Sequence, residues 1–136
     1  MTHRLLNAFT LAGALALAAT AASADEPGPG GTRPVVPKTG EEVYRTVCQA
    51  CHMADAKGAQ GAGAFPALAG NPRLAAAAYP IVMIERGKAG MPSFSDMLTP
   101  AQVAEVVGYI RTHFGNAYAD PVTEADVLKF APKTSR

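Results

Sequence analysis

The chain has 136 residues, 12 of them basic and 11 acidic, with a formal net charge of +1. That length suits one small domain with one core, and the near balance of charge argues against nucleic acid or an anionic membrane surface as the main partner. The 49% hydrophobic content is raised by an alanine-rich opening and does not describe an unusually apolar core.

His3 and Arg4 precede an apolar or small-residue run from Leu5 to Ala22, and Ala22, Ser23 and Ala24 form a small-residue cleavage sequence. This pattern predicts a signal peptide over residues 1–24, cut after Ala24, and hence a periplasmic protein with no stable membrane insertion. The competing reading keeps the run as an anchor, but its alanines make it only weakly hydrophobic. Loss of Arg4 with the signal leaves equal numbers of basic and acidic residues in the mature chain. Between Asp25 and Lys38, proline and glycine supply half of the residues, which predicts a flexible leader over 25–38 followed by one domain over 39–136, tail included.

Thr39 with Glu42 three positions later is a capping-box signature and predicts a helix from Gly40 to about Ala50. Val43 and Val47 share one face of that helix, with Tyr44 and Cys48 beside them. It runs into Cys48-Gln49-Ala50-Cys51-His52, which holds the only two cysteines of the chain. Each thiol can add across one haem vinyl group to form a thioether, and the neighbouring imidazole can then reach the iron, so the run predicts one covalently attached haem c with His52 as a ligand. A zinc site is the first alternative, yet only His3 and His113 remain as further nitrogen ligands. A reactive dithiol is the second, yet no strand-rich βαβ context surrounds the pair.

After His52 the spacing predicts a loop of small residues with Gly58, Gly61 and Gly63, closing on Phe65-Pro66-Ala67-Leu68-Ala69-Gly70. Its glycines lack the Gly-Lys-Ser/Thr sequence of a phosphate cradle. Asn71 as N-cap and Pro72 start a short helix to about Tyr79, and Pro80 opens another that ends near Gly87. Thr99, Pro100 and Gln102 begin the longest helix, with Leu98 and Val103 placed to staple its start. Val103, Val106, Val107, Ile110 and Phe114 recur at helical spacing, Gly115 ends the run, and Gly108 inside it invites a close helix crossing. Val122, Thr123, Asp126 and Val127 predict a capped helical turn in the tail.

The ligand opposite His52 decides the function, because a methionine or second histidine favours electron transfer whereas an open site permits gas binding or peroxide chemistry. Met53 is tied to the His52 side of the ring, while Met83 and Met97 read as core filler. Met91, between Gly90 and Pro92 in a non-helical segment, remains a candidate ligand or a packing residue on local grounds alone. His113 is accounted for by the dipole at the end of its helix.

From Thr39 to about Phe114 the chain resembles a class I c-type cytochrome, a small periplasmic mono-haem cytochrome c. The resemblance rests on Gly40, Tyr44, the Cys48-to-His52 run, Phe65 to Gly70, Gly87, Gly90-Met91-Pro92-Ser93-Phe94 and Tyr109. It implies an all-α fold of about four to five short helices around one haem, with Met91 as the second axial ligand. It also implies that the Pro66 carbonyl accepts a hydrogen bond from His52. Two departures stand out: Met53 replaces a glycine that often follows the haem motif, and no tryptophan is present to contact a propionate. Arg86 and Lys88 are alternative propionate contacts, equally explained as solvated charges.

The implied function is outer-sphere transfer of single electrons, with no catalysis of its own. The tail from Asn116 to Val127 resembles endings of small cytochromes that accept electrons from periplasmic dehydrogenases and flavoproteins. The expected partners are thus a redox protein donor, a dehydrogenase or flavoprotein, and a redox protein acceptor, an oxidase or another cytochrome. Loops around Gly61 to Phe65 and Ala89 to Ser93 are expected to form a small, largely apolar docking rim. The competing readings are a cytochrome subunit held permanently on a dehydrogenase, and an open-site haem sensor or peroxidase.

Overall fold

A computed structural model describes residues 36–61 and 63–132. The signal predicted for 1–24 and nearly all of the leader predicted for 25–38 lie outside the described residues.

The first helical run spans Gly40 to His52 in three parts: α1 (Gly40–Val43), a π-helical stretch over Tyr44–Cys48, and α2 (Gln49–His52). Its capping box forms as the sequence predicts, with Glu42 N–H donating to Thr39 Oγ1 and the Glu42 carboxylate accepting from the Thr39 and Lys38 main-chain N–H groups. Those bonds hold the Glu42 carboxyl below its ordinary pKa. The π-helical stretch is not encoded in the apolar spacing; such wide turns occur mostly as single insertions near functional positions. It ends on Cys48, so the chain enters the Cys-x-x-Cys-His run on a locally unwound turn.

The loop after His52 folds onto itself through a two-stranded antiparallel ladder, β1 (Ala59–Gln60) with β2 (Ala64–Phe65), pairing Ala59 with Phe65 and Gln60 with Ala64. This small ladder adds to the helices of the all-α expectation. Main-chain N–H and C=O groups outside a helix need partners, and small side chains let these two segments approach closely enough to supply them. Asn71 caps a 3₁₀ turn at Pro72–Ala75 by accepting from Arg73 N–H, in place of the longer helix predicted to Tyr79. Helix α3 (Ala78–Arg86) begins two residues before Pro80 and ends at Gly87.

Helix α4 (Pro100–Thr112) starts from a complete Thr99/Gln102 capping box, and α5 (Glu124–Leu128) from a Thr123/Asp126 box. Lys129 and Thr123 hold the Asp126 carboxyl well below the usual carboxylate range. Helix α4 stops at Thr112, so Phe114 lies beyond it with φ 57° rather than continuing its apolar face. Val103, Val106, Val107 and Ile110 of α4 are buried with Val43, Tyr44, Leu74, Ile81, Ile84, Leu98 and Val127 in one core. Met97, expected in that core, is 67% exposed. Its neighbour Leu98 takes the buried position at the helix entry.

The crossing of α1 on α4 is made by Gly40, not by Gly108. A Cβ on Gly40 would run into the Glu105 carbonyl and come within 2.6 Å of Tyr109 Cβ, whereas one on Gly108 would meet nothing within 4 Å. Glycine at position 40 thus lets the two backbones touch, which fixes how the helix bearing the cysteines sits on the core. Among the described residues, no helix is long and apolar enough to cross a membrane.

Candidate haem site

Cys48 and Cys51 lie half-buried on the run that ends in His52, and both are unpaired. Burial foremost, and then the nearby Cys51 thiol, push the Cys48 thiol up to about 11. Reactive dithiols depend on a lowered thiol pKa, which Cys48 lacks. Addition to a vinyl group on a ligand held in place makes no such demand.

His52 is 8% exposed, and its Nδ1 lies 3.0 Å from the Pro66 carbonyl oxygen. A carbonyl can only accept, so Nδ1 carries the proton and donates; the Nε2 lone pair is left for a metal. Pro66 is brought there by Leu68 and Ala69, whose N–H groups both donate to the Ala56 carbonyl at 2.8 and 2.9 Å. The bond expected from the family resemblance is therefore present, and its physical basis is the loop geometry.

Behind the motif, Met53 closes the helix with a positive φ, at φ 64° and ψ 166°. That region is adopted almost solely by glycine, which accounts for the glycine often found here in similar proteins. The buried Tyr44 side chain holds the turn, its hydroxyl donating to the Met53 carbonyl at 2.7 Å. Phe114 packs on the Tyr44 ring at 4.9 Å between centroids, and Tyr109 at 5.8 Å.

Met91 lies on a separate hairpin between α3 and α4. Lys88 and Met91 exchange both main-chain hydrogen bonds, at 2.9 and 3.0 Å, across the turn Ala89-Gly90. The segment is fastened to α3 twice more, by Phe94 N–H to the Ile84 carbonyl at 2.9 Å and by Ser93 Oγ to the Glu85 carbonyl at 2.7 Å. Met91 is half-buried against the core together with Val47, Leu68 and Phe94. Arg86 and Lys88 are exposed.

The donor set fits a covalently held haem: two free thiols at the right interval, an imidazole whose Nδ1 is engaged by Pro66 so that Nε2 is the nitrogen a metal would take, and a thioether on a braced hairpin beside half-buried apolar side chains. Among known families, one described as cytochrome C oxidase, cbb3-type, subunit III has a model that matches residues 36–110, more than half of the chain. The chain belongs to this family of c-type cytochromes. As such it carries covalently bound haem c with its iron and is an electron-transfer protein rather than a catalytic enzyme.

The cytochrome is 34% identical over 104 residues to the protein named alcohol dehydrogenase (quinone), cytochrome c subunit, of Gluconacetobacter polyoxogenes, an alignment covering 66% of this chain and 22% of that protein. It is 31% identical over 105 residues to the fructose dehydrogenase cytochrome subunit of Gluconobacter japonicus, covering 66% of this chain and 21% of that one. The chain thus spans about a fifth of the length of these curated relatives.

Two polar residues of the cytochrome escaped the sequence reading. Asn116, 7% exposed, was absorbed into the tail, although an asparagine directly after Gly115 at a helix end signals a possible cap. Arg111, 1% exposed, looked like an ordinary charge on α4. Its guanidinium donates to the carbonyls of Leu74 at 2.9 Å, Ala75 at 3.2 Å and Asp120 at 2.6 Å, and lies 3.6 Å from the Asp120 carboxylate.

Proposed function

We propose that this cytochrome carries one electron at a time by outer-sphere transfer at a single haem c, attached through Cys48 and Cys51, with His52 and Met91 as its axial iron ligands. The haem supplies the ferric and ferrous couple when bound. The observation that carries the reading is the 3.0 Å contact of His52 Nδ1 with the Pro66 carbonyl, which leaves Nε2 free beside two unpaired thiols.

The chain's own residues keep the ligands where they are. Pro66 fixes the tautomer and orientation of His52 and raises the basicity of its other nitrogen. The Lys88–Met91 hairpin, bonded to α3 through Ser93 and Phe94, limits movement of the Met91 thioether. Ligands that stay in place in both oxidation states make electron gain and loss cheap in reorganisation, and a thioether favours ferrous iron more than a second imidazole does.

The reading places the mature protein in the periplasm, after cleavage at Ala24, between a dehydrogenase or flavoprotein donor and an oxidase or cytochrome acceptor. A second reading, a subunit held permanently on a dehydrogenase, is favoured by the names of the relatives, which are cytochrome subunits of alcohol and fructose dehydrogenases. Co-purification with a dehydrogenase through gel filtration supports the subunit; elution as a free monomer supports the shuttle.

Optical spectra of the Met91→Ala holoprotein test the ligand set. The red charge-transfer band of ferric iron should vanish while the haem stays attached through denaturing electrophoresis. Persistence of that band would show that another residue binds the iron.

A further inference from the structure

The Pro66 carbonyl can orient His52 only as well as its own loop is held, and the holding leads away from the haem motif. Asn116 sits 64 residues further along the chain than His52 and uses its whole side-chain amide on three main-chain groups. Its Oδ1 accepts from Asn71 N–H at 2.9 Å, and its Nδ2 donates to the carbonyls of Leu68 and Ile110, each at 2.8 Å. Ile110 belongs to the last turn of α4, whose carbonyls lack helical partners. One buried amide therefore bolts the loop that carries Pro66 to the end of the longest helix.

Neighbouring bonds complete the brace. Asn71 Nδ2 donates to the Ala67 carbonyl at 2.8 Å, and Gly70 N–H to the Phe114 carbonyl at 3.0 Å. From Ala67 to Asn71 every residue thus has a main-chain or side-chain tie, leaving the Pro66 carbonyl aimed at His52.

We propose that Asn116 is a positioning residue for electron transfer, setting the strength of the His52–Pro66 hydrogen bond through the 67–71 loop and so tuning the iron. The inference rests on His52 being an axial ligand. A strong bond from Nδ1 makes the imidazole more electron-rich and stabilises ferric iron; slackening it raises the midpoint potential.

The test uses full-chain holoprotein and two measurements, the midpoint potential and the paramagnetically shifted ring-proton resonances of the ligand histidine in the ferric state. Asn116→Ala, which adds no charge, should raise the potential and displace those resonances. Asn71→Ala, at a half-buried site, should do the same to a smaller extent. Val127→Ala, in the core but outside this brace, should lower Tm with both readouts unmoved.

An Asn116→Ala protein that loses stability while keeping the parental potential and resonances overturns the proposal. Should that variant fail to fold, an unchanged potential in Asn71→Ala overturns it instead. A wrong ligand assignment shows itself separately: in the parent protein the shifted imidazole resonances would belong to a residue other than His52.

Discussion

Two helix ends in this cytochrome share nearly one backbone conformation yet carry different residues. Met53 closes α2 at φ 64° and ψ 166°, and Gly87 closes α3 at φ 67° and ψ 171°. Met53 leads out of the His52 run and Gly87 leads into the Met91 hairpin. At Gly87 a side chain is barred twice over. The conformation is glycine's own, and a Cβ would stand 2.5 Å from the Met91 carbonyl and 2.7 Å from the Pro92 carbonyl carbon. At Met53 a half-buried side chain is accommodated, and the Tyr44 hydroxyl donates to its carbonyl at 2.7 Å. Strain that excludes a residue at one end is tolerated at the other, because an anchored hydrogen bond compensates for it.

Breaking the Gly87 side should have the largest effect. Gly87→Ala sets a methyl group against the Met91 segment in a disallowed conformation and should lower stability by about 3 kcal/mol, read from denaturant midpoints. The same variant should bind carbon monoxide faster when reduced, through a loosened Met91; unchanged binding would show that the hairpin does not depend on Gly87.

Removing the anchor at the other end comes next. Tyr44→Phe leaves the Met53 carbonyl without its partner and should lose about 1–2 kcal/mol. It should also change the alkaline behaviour. Burial foremost pushes the Tyr44 hydroxyl up to about 12, above its ordinary 10.0. The folded protein therefore holds a proton that the unfolded chain has released. The resulting stability is whole below about pH 10 and is lost as the pH climbs through about 12. Urea midpoints at about pH 9 and about pH 11 should differ less in Tyr44→Phe than in the parent.

The smallest effect sharpens the comparison. Met53→Gly should gain about 1 kcal/mol in Tm-derived stability, since the relief of strain exceeds the added freedom of the unfolded chain. A loss would mean that the half-buried Met53 side chain contributes more packing than its backbone costs.

Local chemistry was legible in the sequence. The boxes at Thr39/Glu42, Thr99/Gln102 and Thr123/Asp126 involve partners three residues apart, so residue type and spacing suffice to foresee them. The Cys48-Cys51-His52 run was equally plain, since its chemistry is carried by contiguous residues, whereas the local sequence around Met91 left ligand and packing roles open. What escaped depends on partners far along the chain. Gly40 rather than Gly108 makes the helix crossing because Glu105 and Tyr109 lie opposite it, and no local pattern reports that. Met97 and Leu98 are both apolar neighbours, and only the assembled core chooses between them. The short β1–β2 ladder likewise arises from closure of a loop whose small residues show no strand periodicity.

The family match ends at residue 110, one position before Arg111. Yet that buried guanidinium reaches forward to Asp120 as well as back to Leu74 and Ala75, and is 1% exposed. A cation sealed in the interior is tolerable only while its acceptors surround it. A fusion or transplant cut at the border of family likeness would remove the guanidinium and leave the Leu74 and Ala75 carbonyls without its N–H donors, and one that kept Arg111 alone would strip it of its forward acceptor. The smallest portable piece of this molecule therefore extends at least through Asp120, and electron carriers assembled from such pieces must inherit that closing segment.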